Sequence, residues 1–501
     1  MMKRAFLFGW ALLFVCTSLG AQTKIRILSS DITDIVKQKD GSRIYYLRGN
    51  VCLQQDVAVM TCDSAVLIQP QNVFKAFKNV KIIQADTTII TGNRLDYDGE
   101  SRTFTISQMV QLTTPSSKLN TKQLFYDRNS ATAYYTVRST LLRKSLELTA
   151  DRGSYNTDYE TVWLRGNVEA IDSTYWLYTD TLLYFPNTNR YEFVGPSTLL
   201  RDSTTILCSI GEYLAESDQL NLGQGASISA PGNYIESDSI SYNLKSEAGR
   251  LFGDALVADT LQGLVLESEF IDYLKQPNFV DAHFPVYYRQ RMDEDTLYAK
   301  GDTLHIRTDS KGYRKIDLRH NTSFYSNDFQ GKSEFFTYTE TSEELTLYPS
   351  PRMWSENSQF TCDSAILSLL DEALDSLFLM GNTAIVSLTD DSIHFDQAVG
   401  NELEGKFIDN AIHSLELRGN AQNITHSIND EKAVEGINKT ECAYISISFE
   451  EGYVQKINAN KSVEASYTPW ESVSEEMKSL PGCIPLFEKR TLKNQTRPNL
   501  Q

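Results

Sequence analysis

The chain has 501 residues and a formal net charge of −18 at pH 7, and 41% of its residues are hydrophobic. A surplus of carboxylates this large argues against binding to nucleic acid or to an anionic membrane surface, since both are negatively charged. Beyond its first residues the chain has no run of about 18 apolar residues, which a membrane-spanning helix requires. The composition therefore predicts a soluble, acidic body.

The first residues, 1–21, predict a secretory signal peptide. Lys3 and Arg4 precede an apolar run from Ala5 to Val15, and small residues follow at Gly20 and Ala21. We expect cleavage after Gly20 or Ala21 and export of the mature chain from the cytoplasm.

Two short pieces of sequence recur along the chain. Leu-Arg-Gly-Asn stands at Leu47–Asn50, Leu164–Asn167 and Leu417–Asn420, with a near copy at Leu379–Asn382. The other piece is an apolar residue, a small residue, Asp, and then Ser, Thr or Arg. Self-similarity with a period of roughly 25 to 30 residues is typical of a stacked array. Because no linker interrupts the repeats, we expect them to continue in one stack through residues 22–175 and 176–468.

Each repeat has the pattern of a strand, a turn and a strand. In the copy from Leu177 to Leu200, β-branched and aromatic residues flank Pro186-Asn187-Thr188-Asn189. Residues 365–378 have helical propensity, but they occupy the position where other copies have two strands, so we predict strands with a turn near Asp371 to Ala373. The pattern predicts an all-β fold.

Apolar residues alternate along these strands, and the alternation changes parity at the Asp-Ser step. Keeping one face inward then requires an extra residue or a bend at that step. We interpret the aspartates as corner residues that bond local backbone; they are Asp63, Asp151, Asp180, Asp238 and Asp363. The predicted inward, lipid-binding residues are Met60, Leu67, Leu148, Tyr155, Leu164, Val168, Leu177, Leu182, Tyr184, Phe193, Ile235, Ile240, Tyr242 and Phe360.

The sequence offers no pattern for catalysis or metal binding. The six histidines show no ligand spacing, and no nucleophile motif or phosphate-binding glycine loop occurs. The aspartates recur at the same position of successive repeats, whereas a pair of catalytic carboxylates would occur once and interrupt the pattern. We therefore predict a protein that is not an enzyme and needs no cofactor. The cysteines, such as Cys62 and Cys362 before the corner aspartates, are expected to be buried free thiols.

The order of these motifs resembles the OstA-like family, the periplasmic lipopolysaccharide-transport proteins that include LptA and the N-terminal part of LptD. The similarity is clearest from about Ile25 to Ile171, where Tyr46–Val51 and Val162–Val168 stand. It implies an elongated, twisted antiparallel β-jellyroll, or open β-taco, whose interior holds lipid acyl chains. It further implies a periplasmic location, lipopolysaccharide or lipid A as ligand, and transport proteins of the inner and outer membranes as partners. End-to-end self-association is left open.

Two other functions are compatible with the repeats. A repetitive scaffold or cell-surface adhesin would use the same strands around a closed, fully packed core. A polysaccharide-active enzyme on a β-solenoid would need a cluster of acids and aromatics that departs from the repeat. From Glu471 onward the repeat stops, and residues 469–501 are predicted to form a flexible tail, with a docking segment as the alternative.

Overall fold

The computed structural model describes residues 24–497, apart from residues 70, 85–86, 276–277, 293–294, 371–372, 390, 409–410, 430 and 451–452. The predicted signal peptide, residues 1–21, lies outside the described residues. Within the described part of the chain there are 34 strands, and the helices are four short 3-10 turns, which confirms the all-β prediction. In these residues no helix has the length and apolar character that crossing a membrane requires.

The chain forms two compact units. Unit 1 contains the described residues up to 173 together with residues 181–186, and unit 2 contains residues 174–180 and those from 187 onward. The strands before residue 173 are β1 (Arg26–Ser29), β2 (Ile32–Lys37), β3 (Arg43–Gln55), β4 (Ala58–Gln69), β5 (Val73–Gln84), β6 (Thr88–Asp98), β7 (Thr103–Thr113), β8 (Lys118–Asp127), β9 (Thr132–Tyr135), β10 (Ser139–Arg143), β11 (Leu146–Ala150), β12 (Arg152–Asn156) and β13 (Thr161–Ile171).

Strand β14 (Trp176–Phe185) is divided between the units. The strands of unit 2 that follow it are β15 (Arg190–Arg201), β16 (Thr204–Leu214), β17 (Gln219–Ala230), β18 (Asn233–Asn243), β19 (Ala248–Asp259), β20 (Leu264–Lys275), β21 (Asn278–Arg291), β22 (Thr296–Thr308), β23 (Arg314–Tyr325), β24 (Phe329–Thr339), β25 (Glu344–Tyr348), β26 (Arg352–Ser355), β27 (Ser358–Thr361), β28 (Ser364–Leu370), β29 (Ala373–Leu388), β30 (Phe395–Ile408), β31 (Ala411–Ile428), β32 (Val434–Glu450), β33 (Tyr453–Asn460) and β34 (Glu464–Pro469). The 3-10 turns are Trp470–Ser472, Glu475–Lys478, Phe487–Lys489 and Lys493–Gln495.

The segment with helical propensity forms two paired strands. In β28 and β29, Ser364 pairs with Met380 and Leu370 pairs with Ala373. Repeat register therefore outweighs local propensity here, as predicted. The expected turn falls partly on residues 371–372, which lie outside the described residues.

A bulge divides most of the long strands into two halves. The pairing of β3 with β4 passes from Arg48 opposite Ser64 to Val51 opposite Cys62, so two residues face one. The two are Gly49 and Asn50, with φ of 72° and 48°. The extra residue thus lies in the Gly-Asn strand and not at the Asp-Ser step, because glycine and asparagine adopt positive φ at the lowest cost.

In unit 1 the sheet folds over at these bulges into two layers. Tyr97 lies near the end of β6 in one layer, and Gln55 lies at the end of β3 in the other. In a flat sheet about nine residues, or roughly 30 Å, would separate them along the strand direction. Instead the Tyr97 hydroxyl donates a hydrogen bond of 2.5 Å to Gln55 Oε1. We call the layer with the ends of β6, β7 and β8 at Asp98, Thr103 and Asp127 the first layer, and the opposite one the second layer.

The corner aspartates Asp151 and Asp363 face the Gly-Asn bulge of a neighbouring strand. Asn167 Nδ2 donates to Asp151 Oδ2 at 2.7 Å, and the Asp151 N–H donates to the Gly166 carbonyl at 3.0 Å. Asn382 donates in the same way to Asp363, at 3.0 and 3.2 Å. For these two aspartates the side-chain partner is thus the asparagine across the strand pair, where the sequence predicts local backbone. This pairing explains why the two recurring pieces of sequence occur together.

The C-terminal segment, residues 470–497, packs on the outer face of strands β29, β31 and β32 in unit 2. The sequence predicts a flexible tail over residues 469–501, with a docking segment as the alternative, and residues 470–497 make packed contacts. Leu480 and Cys483 are buried against Val386 and Ile424, which point away from the interior. The strands beneath the segment are consequently buried on both faces, which the alternating pattern of the repeats does not predict.

Buried glutamines hold this C-terminal segment by its main chain. Gln397 donates from Nε2 to the carbonyl two residues before Leu480 at 2.9 Å, and its Oε1 accepts the Leu480 N–H at 2.8 Å. Gln359 makes the same pair of bonds with the carbonyl of Ile484 and the N–H of Leu486, at 2.9 and 2.7 Å. A side-chain amide supplies a donor and an acceptor together, so each glutamine satisfies two backbone groups.

Candidate functional site

The predicted inward residues are all buried. Their exposed fractions run from 0% for Leu67, Leu148, Leu182 and Phe360 to 9% for Tyr155. They are spread along both units instead of converging on one place. The inward side is thus a continuous apolar face within each unit, and any ligand site must be sought where that face leaves space.

Unit 1 contains a small cavity between its two layers. Its volume is about 50 Å³, a third of the roughly 150 Å³ that accepts a benzene-sized ligand. Its wall is apolar and is formed mainly by Leu53, Met60, Phe74, Ile82, Leu95 and Phe104. Of the predicted lipid-binding residues only Met60 lies in this wall. The others in the wall follow the same alternation, which could have identified them.

Polar side chains from the turns close the rim of this cavity. Besides the Tyr97–Gln55 bond, Arg128 Nη1 donates to Gln55 Oε1 at 3.0 Å and Arg128 Nη2 to Asp56 Oδ2 at 3.1 Å. Arg102 lies 3.6 Å from the same carboxylate. Gln55 and Asp56 belong to the second layer and their partners to the first, so these bonds join the layers. The sequence analysis did not single out any of these residues.

A larger cavity of about 390 Å³ lies in unit 2. Its apolar wall includes Tyr288, Met292, Phe336, Tyr338, Leu345 and Leu369. Arg314 stands at its polar side, where its Nη2 lies 3.3 Å from Glu340 Oε1. Burial lowers the pKa of Arg314, but its bonds to Glu340 outweigh burial and raise that pKa overall. None of the predicted lipid-binding residues lies in this wall.

Two histidines of unit 2 pair with aspartates. His394 bonds Asp391 at 2.5 Å and His426 bonds Asp396 at 3.1 Å. No group of three or more potential metal ligands occurs within the described residues.

The cysteines of the described residues are free thiols. Cys52 is half-buried, and Cys62, Cys208, Cys362, Cys442 and Cys483 are buried. Burial raises the pKa of Cys62 to about 11 and that of Cys362 to about 12. The expectation of buried free thiols is thus confirmed for all but the half-buried Cys52.

Residues 22–180 match the OstA-like protein family, so this part of the chain is OstA-like. No curated protein matches the chain significantly. Among solved structures, LptH from Pseudomonas aeruginosa, described as the LptA-homologous periplasmic component of the lipopolysaccharide transport device, is 16% identical. The alignment covers 28% of this chain and 80% of LptH, with a TM-score of 0.17.

The extracellular domain of a one-component system from B. thetaiotaomicron is 9% identical. It is aligned over 90% of this chain and 98% of its own length, with a TM-score of 0.09. At these TM-scores neither solved structure establishes a shared fold.

Proposed function

We propose that this protein is a periplasmic lipopolysaccharide-transport protein that binds acyl chains between its β layers and helps to pass them to the outer membrane. The observation that carries the proposal is an apolar space between two β layers inside the OstA-like segment. Burial of a lipid chain contributes about 0.8 kcal/mol per methylene. A few ordered methylenes therefore outweigh repulsion between lipid phosphates and an acidic, salt-screened exterior.

Transport of this kind asks for no bond making. The protein would contribute only a path of apolar side chains whose affinity for an acyl chain is similar in each repeat, and no residue is assigned a catalytic role. The recurrence of the corner aspartates in bulge contacts supports a structural role for them.

Exposed edge strands supply docking surfaces for transport partners. In β2 every residue is exposed, including Ile32, Ile35 and Val36, and its pairing within the described residues is with β3. An unpaired strand edge with apolar side chains is suited to adding a strand from another protein. We assign this edge to contacts with other transport proteins or with a second copy.

One observation favours a closed scaffold as the second candidate. The interior residues are almost fully buried, and the cavity of about 50 Å³ between the layers of unit 1 is smaller than a bound acyl chain needs. A scaffold would keep this interior closed permanently, whereas a lipid carrier must open it.

Substituting neighbouring residues of the β3–β4 turn tests the proposal. Ala58 lines the cavity, whereas Val57 is 67% exposed. Ala58→Trp should block the space between the layers and weaken binding of lipopolysaccharide or a fluorescent fatty acid. Val57→Trp adds the same bulk outside and should bind like the wild type, with folding of both variants checked by circular dichroism. If none of the three proteins binds lipid, the scaffold is the better account.

A further inference from the structure

The bonds around Asp56 join the two layers of unit 1 at their open side. Asp56 lies in the turn between β3 and β4, at the end of the second layer. Arg102 and Arg128 lie in turns at the end of the first layer. The Arg128 and Asp56 side chains are only 12% and 26% exposed. Water and salt therefore screen this ion pair less than a fully exposed one.

The cavity behind these bonds is too small for a lipid in the closed arrangement. It measures about 50 Å³ and its lining includes Gln55, Tyr97 and Arg128. The same three side chains make the bonds across the rim. An acyl chain entering from this side must therefore separate the turns, and separating the turns breaks these bonds.

Two guanidinium groups share one carboxylate at the rim. Arg102 and Arg128 both face the single carboxylate of Asp56. Three other acids, Asp98, Glu100 and Asp127, stand in the same turns of the first layer; Glu100 is exposed, and the other two accept local hydrogen bonds. Asp98 accepts the N–H of Glu100 at 2.9 Å, and Asp127 accepts the backbone N–H two residues further on at 2.8 Å. A phosphate group, with several acceptor oxygens, matches paired guanidinium groups better than one carboxylate does.

We propose that the ion pairs of Asp56 with Arg102 and Arg128 hold the two layers closed, and we call them the latch. An amphiphile with a phosphate head group opens the latch when its phosphate replaces the Asp56 carboxylate at the two arginines and its acyl chain enters between the layers. This inference rests on the proposed function and specifies its ligand as a phosphorylated amphiphile. Unit 2 has related bonds between turns, from Arg201 to Asp218 and from Arg314 to Gln262. Each of those bonds brings one arginine to the opposite turn, whereas two arginines meet at Asp56 in unit 1.

Two lipids that differ only in a phosphate test the latch: lauroylglycerol and lauroylglycerol phosphate. The variants are Asp56→Asn, the double variant Arg102→Gln/Arg128→Gln, and Arg94→Gln as control. Arg94 pairs with Asp96 at 2.9 Å on the exposed face of the same layer. Affinities would be measured by fluorescence displacement at low salt, with folding checked by circular dichroism.

The wild type should bind the phosphorylated lipid roughly tenfold more tightly than the neutral one. Asp56→Asn should bind both lipids about three- to tenfold more tightly, because the latch is weakened. The double arginine variant should also bind the neutral lipid more tightly but should lose the preference for phosphate. Arg94→Gln should behave as the wild type.

Distinct results overturn distinct parts of the proposal. Unchanged affinities in Asp56→Asn refute the latch, and an undiminished phosphate preference in the double variant refutes the head-group exchange. Whether added inorganic phosphate is recognised in place of the lipid's own phosphate is tested with the neutral lipid. If inorganic phosphate raises the affinity for the neutral lipid by the factor that separates the phosphorylated lipid from the neutral one, the site recognises free phosphate and not an amphiphile. Failure of every protein to bind either lipid overturns the proposed function itself, and the latch with it.

Discussion

Removing the side chain of Gln397 should release the C-terminal segment from the sheet. Gln397→Ala deletes the bond to the carbonyl of Lys478, at 2.9 Å, and the bond from the Leu480 N–H, at 2.8 Å. Leu480 is only 3% exposed, so its N–H finds no water in exchange. Leaving one buried group unpaired costs about 1–3 kcal/mol, and losing a second, less buried bond adds about 1 kcal/mol. We expect about 3 kcal/mol in total.

That loss should make local opening of the segment roughly a hundredfold more frequent, since each 1.4 kcal/mol is a factor of ten. Hydrogen exchange at the Leu480 amide and proteolysis of the C-terminal segment would measure it, because both follow local opening and need no global unfolding. Gln422→Ala is the control, since Gln422 is a half-buried glutamine on the adjacent strand β31. Equal protection of the Leu480 amide in both variants would refute the assignment of Gln397 as a main-chain clamp.

Three further predictions concern the bulges, the thiols and acid stability. Gly225→Ala should cost about 1–2 kcal/mol of unfolding free energy because φ is 70° at this bulge and an added methyl group would meet no neighbouring atom, whereas Gly400→Ala, where an added methyl group meets only ordinary contacts at 3.5 Å, should cost much less; equal costs in denaturant titrations would count against strain at the bulge. Cys62 should resist a thiol reagent at pH 8 until the protein unfolds, because burial raises its pKa to about 11; rapid labelling of the native protein, resolved by mass spectrometry, would contradict this. Burial raises the pKa of Asp391, but hydrogen bonds from its own turn, including the His394 N–H, outweigh burial and hold it well below its usual range. The stability that this carboxylate contributes is then complete above about pH 4 and is lost as the pH falls through its lower pKa in the folded protein. The stability difference between wild type and Asp391→Asn should therefore shrink on acidification. A difference that does not depend on pH would refute the assignment.

The positions of the strands, and which of their side chains face the interior, could be predicted because both recur from one repeat to the next. Phe193 and Leu182 follow the alternation and are buried, and residues 365–378 form strands despite their helical propensity. The sequence predicts an extra residue or a bend at the Asp-Ser step, and the extra residue lies in the strand paired with that step, because parity reveals that a residue is inserted but not which strand of a pair carries it. Positive φ at Gly49 and Asn50 decides that question in favour of the Gly-Asn strand.

Contacts between residues far apart in sequence could not be predicted from the repeat. Asp56 meets Arg128 across 72 positions, and Gln359 meets Leu486 across 127. Neither pair carries a local pattern, since each residue taken alone looks like an ordinary turn or strand residue. The consecutive apolar residues Ala384, Ile385 and Val386 were the available signal that a strand is buried on both faces.

Photocrosslinking to lipopolysaccharide tests most directly whether the interior of unit 1 carries lipid. A photoreactive phenylalanine would replace Met60, which lines the cavity and is 5% exposed, or its neighbour Thr61, which is exposed on the other face of β4. The two positions are adjacent on one strand and differ in the face that they occupy, so folding and labelling chemistry are matched. The proposed function predicts a lipopolysaccharide adduct from position 60 and little from position 61. Equal adducts from both positions, or none from either, would contradict it.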